Sequence, residues 1–318
     1  PAGDVMGVLK RGDSDHVSLD LAEGQEVTIS VEFSWTGGRV QGLWYGLRGP
    51  GSAEDMLQAA VDAARAADAV FLIVGETSDS SVESKDRPDT LLSAEQLRLI
   101  EAVTSANPRT AVIVNVGHAF DSAWEDKAAA VLSVWYPGEG FARALADVLS
   151  GRREPGGRLP VTIAADEGDY PAFALQPAAD GTLAYREGTL LGYRGLVARG
   201  KAARHPFGSG MGYARFAWTD AAEEGGVLHL TVTNLSKRTG SDVVQVYRDH
   251  PEPALVGFTR IELAAGESRR VTVPVEPRAL QRWGEQGWEP LAERLVLRLA
   301  RNCEDAGLRV EMEIAALA

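Results

Sequence analysis

A polar loop over residues 75–92 carries the side chains that are best suited to chemistry in this chain. Glu83 lies in this loop, three residues before the pair Asp86-Arg87. A carboxyl group on a loop can donate and accept protons, which is the work of a general acid/base. A Glu in a polar loop, here between Val82 and Ser84, is most often a solvated surface carboxylate, so the residue type alone leaves both interpretations open.

Helices and strands alternate around this loop. The apolar run 69–74, ending at Gly75, is typical of a buried parallel strand, and ligands of such sheets bind beyond the carboxyl ends of the strands. Further strands are predicted over 111–116 and 130–135, and helices over 53–67, 94–106 and 141–149. Ser93 and Gln96 have the spacing of a capping box. We predict a parallel-dominated α/β sandwich over 51–162, with helices on both faces. Its carboxyl-end loops 75–92, 117–128 and 136–140 are expected to line one crevice.

The two ends of the chain are predicted to be β structure. Residues 16–21 and 27–33 alternate apolar with polar residues around Gly24, which is typical of a hairpin with one solvated face, and 43–47 is a candidate third strand. Residues 1–50 are therefore predicted to form a short N-terminal β segment. After a connector over 163–205, residues 206–318 contain five alternating runs separated by turns, the pattern of a β-sandwich. The expected fold class is α/β plus all-β.

Composition narrows the function classes. The 318 residues include 45 acidic and 32 basic side chains, so the net charge of −13 argues against a nucleic-acid partner. Cys303 is the only cysteine, no apolar run has the length of a membrane helix, and we predict neither a cofactor nor a metal. The chain starts at Pro1 rather than Met, which we interpret as a fragment or a processed end. A cytoplasmic or a secreted location is equally compatible with this sequence.

A series of motifs in a fixed order connects the loop to a known family. The loop motif Glu83-Ser-Lys-Asp-Arg87 is followed by Gln96-Leu-Arg-Leu-Ile100, and later motifs are 106–117, Trp135-Tyr-Pro-Gly-Glu-Gly140, Ala144–Leu149, Gly157-Arg-Leu-Pro-Val-Thr162 and Pro206-Phe-Gly-Ser-Gly-Met-Gly-Tyr213. Their order resembles the family-three glycoside hydrolases, the β-glucosidase-like enzymes. The resemblance covers roughly residues 55–318. It implies that 206–318 is a fibronectin type III-like domain and that 1–50 closes an inserted sandwich like that of the protective-antigen toxin component (PA14).

The resemblance also implies a role for Glu83, because the corresponding family residue is the general acid/base. Retaining glycosidases use two carboxyl groups about 5–5.5 Å apart, one as nucleophile and one as acid and then base. Glu76 and Asp79 share the loop and are the rival candidates. The family usually has Gly after the acid/base, and Ser84 takes that place here.

Other residues near the loop are candidates for substrate binding. The pair Asp86-Arg87 is one, although an arginine that holds Asp86 or a loop carbonyl and fixes the shape of the loop is the favoured interpretation. His118 follows a predicted strand, where its ring is placed either to hydrogen-bond a substrate or to serve a structural role. Trp135 and Tyr136 offer a face for stacking on a sugar, but aromatics that end a buried strand usually pack in the core.

The resemblance implies that a part of the enzyme lies outside this chain. In the family the nucleophile is an Asp on an N-terminal (β/α)₈ barrel, which does not fit within these residues. The chain is predicted to be the C-terminal part of a retaining, exo-acting β-glucosidase that acts on a β-linked glucoside or related glycoside. The isolated chain is expected to be inactive without the barrel. The alternative is a non-catalytic carbohydrate-binding or assembly module. An esterase is disfavoured because no G-x-S-x-G motif follows a strand.

Overall fold

A computed structural model describes residues 19–32, 51–76, 87–171 and 176–314. The chain divides into two compact units. The first comprises residues 1–117 and 124–136, and the second comprises residues 118–123 and 137–318.

The first unit is an α/β layer in its described part. Its elements are α1 (Ala53–Ala66), β1 (Val70–Gly75), α2 (Ala94–Ala106), β2 (Thr110–Asn115), a 3₁₀ turn (Glu125–Lys127) and β3 (Ala130–Ser133). The three strands are parallel in the order β1-β2-β3. Val112, Ile113 and Val114 of the central strand β2 are fully buried. A buried, continuous apolar strand is what a parallel sheet requires.

Polar side chains fix the ends of the two helices. Ser52 and Asp55 form a reciprocal capping box at the start of α1. Asn107, just after α2, donates its side-chain amide to the carbonyls of Ala64 and Ala67 at 2.9 and 2.8 Å. This amide links the end of α1 to the end of α2, and it also explains why a buried Asn is tolerated here.

The predicted helices and strands of this unit agree with the structure to within one residue at each end, except at two details. β3 ends at Ser133 and not at residue 135, because Trp135 adopts a positive φ of 53°, which is incompatible with a strand. Gln96 does not complete a capping box with Ser93. Its backbone amide donates to the Ser93 hydroxyl at 3.3 Å, but its side chain bonds Gly75 of β1 instead.

Residues 19–32 contain the predicted turn but no strand. The amide of Gln25 donates to the carbonyl of Ala22 at 3.0 Å, and Gly24 has a φ of 76°. The alternating apolar side chains of this segment are exposed: Leu19, Leu21, Val27, Ile29 and Val31. An isolated hairpin without a surface that covers its apolar face is marginal, so the predicted alternation does not produce a ladder here. The candidate strand 43–47 lies outside the described residues.

The second unit is dominated by antiparallel sheets. Its elements are α3 (Phe141–Leu149), β4 (Ile163–Ala164), a 3₁₀ turn (Glu167–Asp169), α4 (Tyr193–Ala198), β5 (Ala203–His205), β6 (Phe216–Glu224), β7 (Val227–Asn234), β8 (Gly240–Arg248), β9 (Ala254–Leu263), β10 (Ser268–Val273), a 3₁₀ turn (Pro277–Leu280), β11 (Gln281–Gly284), β12 (Gly287–Pro290), β13 (Arg294–Ala300) and β14 (Leu308–Glu313). The sheets β10-β7-β6 and β14-β13-β8-β9 share one apolar core, so the α/β plus all-β fold class is confirmed at this level.

Sequence alternation explains most of this sandwich. Leu228, Leu230 and Val232 of β7 are fully buried, and the residues between them are partly exposed. β6 and β9 were not among the predicted strands. In β6 the residue order Thr219-Asp220-Ala221-Ala222 contains a bulge with Asp220 at a φ of 54°, which interrupts the alternation that would identify a strand.

The connector is tied to the sandwich within this second unit. β4 and β5 pair with each other, at Ile163 and His205. The ring of Tyr193 stacks on Phe207 with centroids 4.9 Å apart, and its hydroxyl accepts the amide of Leu255 at 2.9 Å. The segment between the two motifs 157–162 and 206–213 therefore packs against β structure, as a connector of this length usually does.

Candidate active site

Two side chains and one backbone amide converge on Glu76, the residue that follows β1. Its carboxylate forms an ion pair with Arg87 and accepts the phenol of Tyr136. It also accepts the backbone amide of Gly117 at 3.1 Å. Only 6% of the Glu76 side chain is exposed. The ion pair, the phenol and the amide are referred to below as the Glu76 cluster.

The parallel sheet explains why these residues meet. β1 ends at Gly75, β2 at Asn115 and β3 at Ser133, all at one edge, and residues that follow parallel strands are therefore neighbours. The Glu76 amide continues the ladder to the Asn115 carbonyl at 2.9 Å.

The start of α2 fixes the end of β1. The side chain of Gln96 accepts the amide of Gly75 at 2.9 Å and donates to its carbonyl at 2.6 Å. A Cβ at position 75 would lie 2.1 Å from the Asn115 carbonyl oxygen, so glycine is required for this close approach. The backbone that presents Glu76 is thus held from a strand and from a helix.

An unusual backbone conformation brings Tyr136 onto Glu76. Trp135 has a φ of 53° and Gly138 a φ of 69°, and a positive φ is strained for a bulky residue such as Trp. The Tyr136 ring lies against Gly117, where an added Cβ would come within 2.4 Å of the ring. Strained residues often cluster at functional sites, and this one lies directly beside the Glu76 cluster.

The donors around Glu76 determine what its carboxylate can do. A guanidinium, a phenol and a backbone amide all stabilise the ionised form of a carboxylate. A general acid has to be protonated when the substrate binds. These three contacts suit Glu76 to an anchoring role.

The candidate residues of the sequence analysis lie partly within the described structure. Glu83, Asp79 and Asp86 lie outside the described residues. Arg87 pairs with Glu76, a partner that the sequence analysis did not name. His118 is half-buried, and its Nδ1 contacts the carbonyl of Ala119.

Three members of the Glu76 cluster were missed by the sequence analysis. Glu76 was considered only as a rival acid/base, Tyr136 as a face for stacking on a sugar or, more often, a core residue, and Gly117 only as part of a crevice loop. Tyr136 is in fact 60% exposed although its hydroxyl is bonded. Their position in the sequence could have identified them, since each of these residues lies one to three places beyond the end of a strand.

Metal or thiol chemistry has no support in the described ranges. They contain no group of three potential metal ligands. Burial raises the pKa of the Cys303 thiol to about 12, with a smaller contribution from the charge of Glu304, so this thiol is a poor nucleophile. No helix in the same ranges combines the length and the apolar content of a membrane span.

Comparison with known proteins identifies the family. The glycosyl hydrolase family 3 C-terminal domain matches residues 10–193, and the fibronectin type III-like domain matches residues 242–297. The chain therefore belongs to glycosyl hydrolase family 3, in agreement with the order of motifs in the sequence.

Individual relatives are glycosidases. The chain is 36% identical to a β-glucosidase of Rhizobium radiobacter over 83% of its length and 35% of the relative. It is 34% identical to an exo-α-(1→6)-L-arabinopyranosidase of Bifidobacterium breve over 71% of its length and 32% of the relative. The solved structure of DesR, a β-glucosidase from Streptomyces venezuelae in complex with D-glucose, superimposes with a TM-score of 0.74 at 32% identity, covering 82% of this chain and 35% of DesR. The chain thus spans about a third of the length of the relatives that it matches.

Proposed function

We propose that this chain is the C-terminal part of a retaining, exo-acting β-glucosidase-type enzyme, with Glu83 as the general acid/base. The observation that carries the proposal is the family match over 10–193, which includes the motif Glu83-Ser-Lys-Asp-Arg87, eight positions along the chain after the end of β1. The β-glucosidases among the relatives support the substrate class, a β-linked glucoside.

The proposed reaction has two steps. In the first, protonated Glu83 gives its proton to the glycosidic oxygen while a second carboxylate attacks the anomeric carbon and the aglycone leaves. In the second, ionised Glu83 takes a proton from water, which attacks the anomeric carbon and releases the sugar and the second carboxylate. We assign the second carboxylate to an Asp on the N-terminal (β/α)₈ barrel that the family resemblance implies.

The Glu76 cluster supports Glu83 over its rival Glu76. Glu76 accepts bonds from three donors, each of which favours the ionised form of a carboxylate, whereas the first step requires a protonated carboxyl group. Arg87 is engaged by Glu76, which supports a structural role for this arginine in preference to direct contact with the sugar. Asp86 and His118 remain proposed substrate contacts.

An exposed apolar face on β1 supports the proposal that a further segment of the enzyme packs against this strand. Phe71 and Ile73 are 55% and 54% exposed, although Ile113, the register neighbour of Ile73 on β2, is fully buried. Parallel sheets are normally covered on both faces. We propose that the upstream part of the enzyme covers this face, and that residues 1–50, 51–162, 163–205 and 206–318 are respectively the end of an inserted PA14-like sandwich, the α/β domain, the connector and the fibronectin type III-like domain.

Recombination with the upstream part tests this proposal. The purified 318-residue chain is expected to fold, as judged by circular dichroism, without hydrolysing 4-nitrophenyl β-glucoside, because it carries a proton donor without the nucleophile. Joining it to the upstream part is expected to produce hydrolysis. Turnover by the isolated chain above that of a Glu83→Ala control would contradict the division of the site. A joined protein that binds glucosides without hydrolysing them would favour the non-catalytic module.

A further inference from the structure

We infer that the hairpin β11–β12 is a binding site for β-linked gluco-oligosaccharides, in which Trp283 stacks on one sugar ring. The hairpin comprises residues 281–290, and Trp283 pairs directly with Trp288 across its two strands. Both residues are exposed, at 69% and 46%. The inference goes beyond the proposed function, because it involves neither Glu83 nor turnover.

The two indoles differ in how far the protein covers them. Their rings meet edge to face, with an interplanar angle of 79° and centroids 5.5 Å apart. The guanidinium carbon of Arg278 lies over the Trp288 ring, 4.2 Å from its centroid, so Trp288 is the packed member of the pair. A tryptophan that is 69% exposed cannot have both ring faces covered. Trp283 therefore presents a ring face to solvent.

Stabilisation of the hairpin alone does not account for this arrangement. A cross-strand aromatic pair stabilises a hairpin through the surface that its two rings cover, and most of Trp283 is not covered. Trp218 of β6, in the same unit, donates its indole N–H to Asp242 at 3.0 Å. Neither indole N–H of the hairpin has an acceptor among the residues that the structure describes. The hairpin thus offers a ring face and two donors to a ligand.

The base of the hairpin holds these rings in place. Leu280, just before β11, is fully buried, and its carbonyl accepts the amide of Leu291 at 3.0 Å. The carbonyl of Ala279 accepts the Nε–H of Arg248 at 3.1 Å. A surface that is positioned before its ligand arrives loses less conformational entropy on binding.

The chemistry of this surface fits a neutral sugar. The face of an aromatic ring carries partial negative charge. β-D-Glucopyranose turns only C–H bonds, which are weakly positive, toward its two ring faces, because all of its ring substituents are equatorial. Its hydroxyls then point sideways from a stacked ring. Trp283 borders an open depression whose other lining residues are mostly polar: Arg282, Gly284, Glu285, Gln286 and Glu289. These side chains supply donors and acceptors for the hydroxyls.

The size and charge of the surface disfavour other ligands. A specific protein interface covers about 800 Å² on each partner, whereas one aromatic side chain buries about 150–250 Å². Two indoles, one of them already packed against Arg278, provide much less than a protein partner needs. The acidic Glu285 at the tip and the net charge of −13 disfavour an anionic lipid surface and nucleic acid.

The test is a titration of the purified 318-residue chain with cellotetraose or maltotetraose, followed by the indole N–H signals in heteronuclear NMR spectra. The chain has seven tryptophans, and the signals missing from Trp283→Phe and Trp288→Phe assign the two of the hairpin. Cellotetraose is expected to shift the Trp283 signal most. Maltotetraose is expected to shift it less, because the axial oxygen of each α-linkage stands on one ring face.

Variants of Trp283 connect the shift to stacking. Trp283→Ala is expected to weaken cellotetraose binding about tenfold, and Trp283→Phe, which keeps an aromatic face, less than about threefold. Phe258→Ala is the matched control, because Phe258 is 60% exposed on β9, and it is expected to bind like the wild type. Binding is measured by isothermal titration calorimetry, and circular dichroism shows that each variant is folded.

An unshifted Trp283 signal at millimolar cellotetraose would overturn the inference, as would equal affinities of folded Trp283→Ala and the wild type. Equal shifts with both tetrasaccharides would reject the preference for β-linked chains. Self-association of the wild type that Trp283→Ala abolishes in sedimentation would assign the hairpin to an interface between copies of the chain. None of these measurements involves turnover, so a negative result leaves the proposed role of Glu83 untouched.

Discussion

Asp242 carries a buried charge in the second unit that is both paired and hydrogen-bonded. Its carboxylate forms an ion pair with Arg158 at 2.8 Å and accepts the indole N–H of Trp218 at 3.0 Å. The two charged side chains are 13% and 7% exposed. Arg158 belongs to the motif Gly157-Arg-Leu-Pro-Val-Thr162, so this motif anchors the chain ahead of β4 onto the sandwich strand β8.

Breaking this pair is predicted to destabilise the unit strongly. Asp242→Asn leaves the guanidinium of Arg158 buried without its counter-charge, at a cost of about 3–5 kcal/mol. The measurement is the free energy of unfolding from urea titration followed by circular dichroism. The matched control is Arg282→Gln, which removes the exposed pair Arg282–Glu289, with side chains 65% and 48% exposed, and is expected to cost less than about 1 kcal/mol. If both variants lose the same free energy of unfolding, burial does not decide how much these two ion pairs contribute.

At the scale of the elements, strand ends and loops determine the site. The sequence was sufficient to predict α2 and β2 with an error of at most one residue, because apolar runs and polar breaks report burial directly. It also placed the carboxyl ends of the three strands at one edge, since that follows from parallel pairing. The pairing of Arg87 with Glu76 was not predictable, because ten residues lie between them and no local pattern of residue types brings two side chains together over that distance along the chain.

The aromatic residues after β3 show a second limit of sequence interpretation. For Tyr136 the sequence left two interpretations open, a face for stacking on a sugar and, more often for an aromatic that ends a buried strand, a place in the core. In the structure Trp135 has a positive φ, and this turns the chain so that the Tyr136 hydroxyl reaches Glu76. A positive φ at a non-glycine residue is a local exception that a pattern of residue types does not reveal.

A methyl group at position 117 is predicted to displace Tyr136. In Gly117→Ala the added Cβ would lie 2.4 Å from the Tyr136 ring, so the ring has to move and its bond to Glu76 is lost. The complete enzyme is expected to lose about tenfold in kcat on poor leaving groups. Gly140→Ala is the control, because it has a negative φ and no atom lies within 4 Å of an added Cβ. A Gly117→Ala enzyme as active as Gly140→Ala would show that the contact with Tyr136 is dispensable.

At the scale of the whole molecule, the β-sandwich has a closed apolar core, whereas one strand of the parallel sheet keeps exposed apolar side chains. The sandwich core is closed by both of its sheets, with Leu228, Leu230, Leu297 and Leu299 fully buried. The parallel sheet has three strands in its described part, and the apolar residues Phe71 and Ile73 of β1 are exposed. The family supplies the expectation of further chain, since this one spans about a third of its relatives.

Polar residues on the β1 face are predicted to block reassembly without unfolding the chain. Phe71→Ser/Ile73→Thr removes the apolar surface that we propose for the upstream part. The isolated variant is expected to keep its circular dichroism spectrum, and its activity after co-expression with the upstream part is expected to fall at least about tenfold. Phe258→Ser is the control, because Phe258 is 60% exposed on the sandwich. If the double variant regains as much activity as the control after co-expression, the upstream part binds a surface other than this face of β1.

The most direct measurement of the proposed function is chemical rescue of Glu83→Ala in the complete enzyme. Without the acid/base, kcat is expected to fall about 10²–10⁴-fold on substrates with poor leaving groups and less on activated aryl glucosides. Azide needs no base, so it is expected to restore turnover of the aryl glucoside and to yield β-glucosyl azide, the product of retention at a barrel nucleophile. Glu76→Ala is expected to show no rescue. Rescue by azide in Glu76→Ala or Asp79→Ala, with none in Glu83→Ala, would contradict the assignment of Glu83.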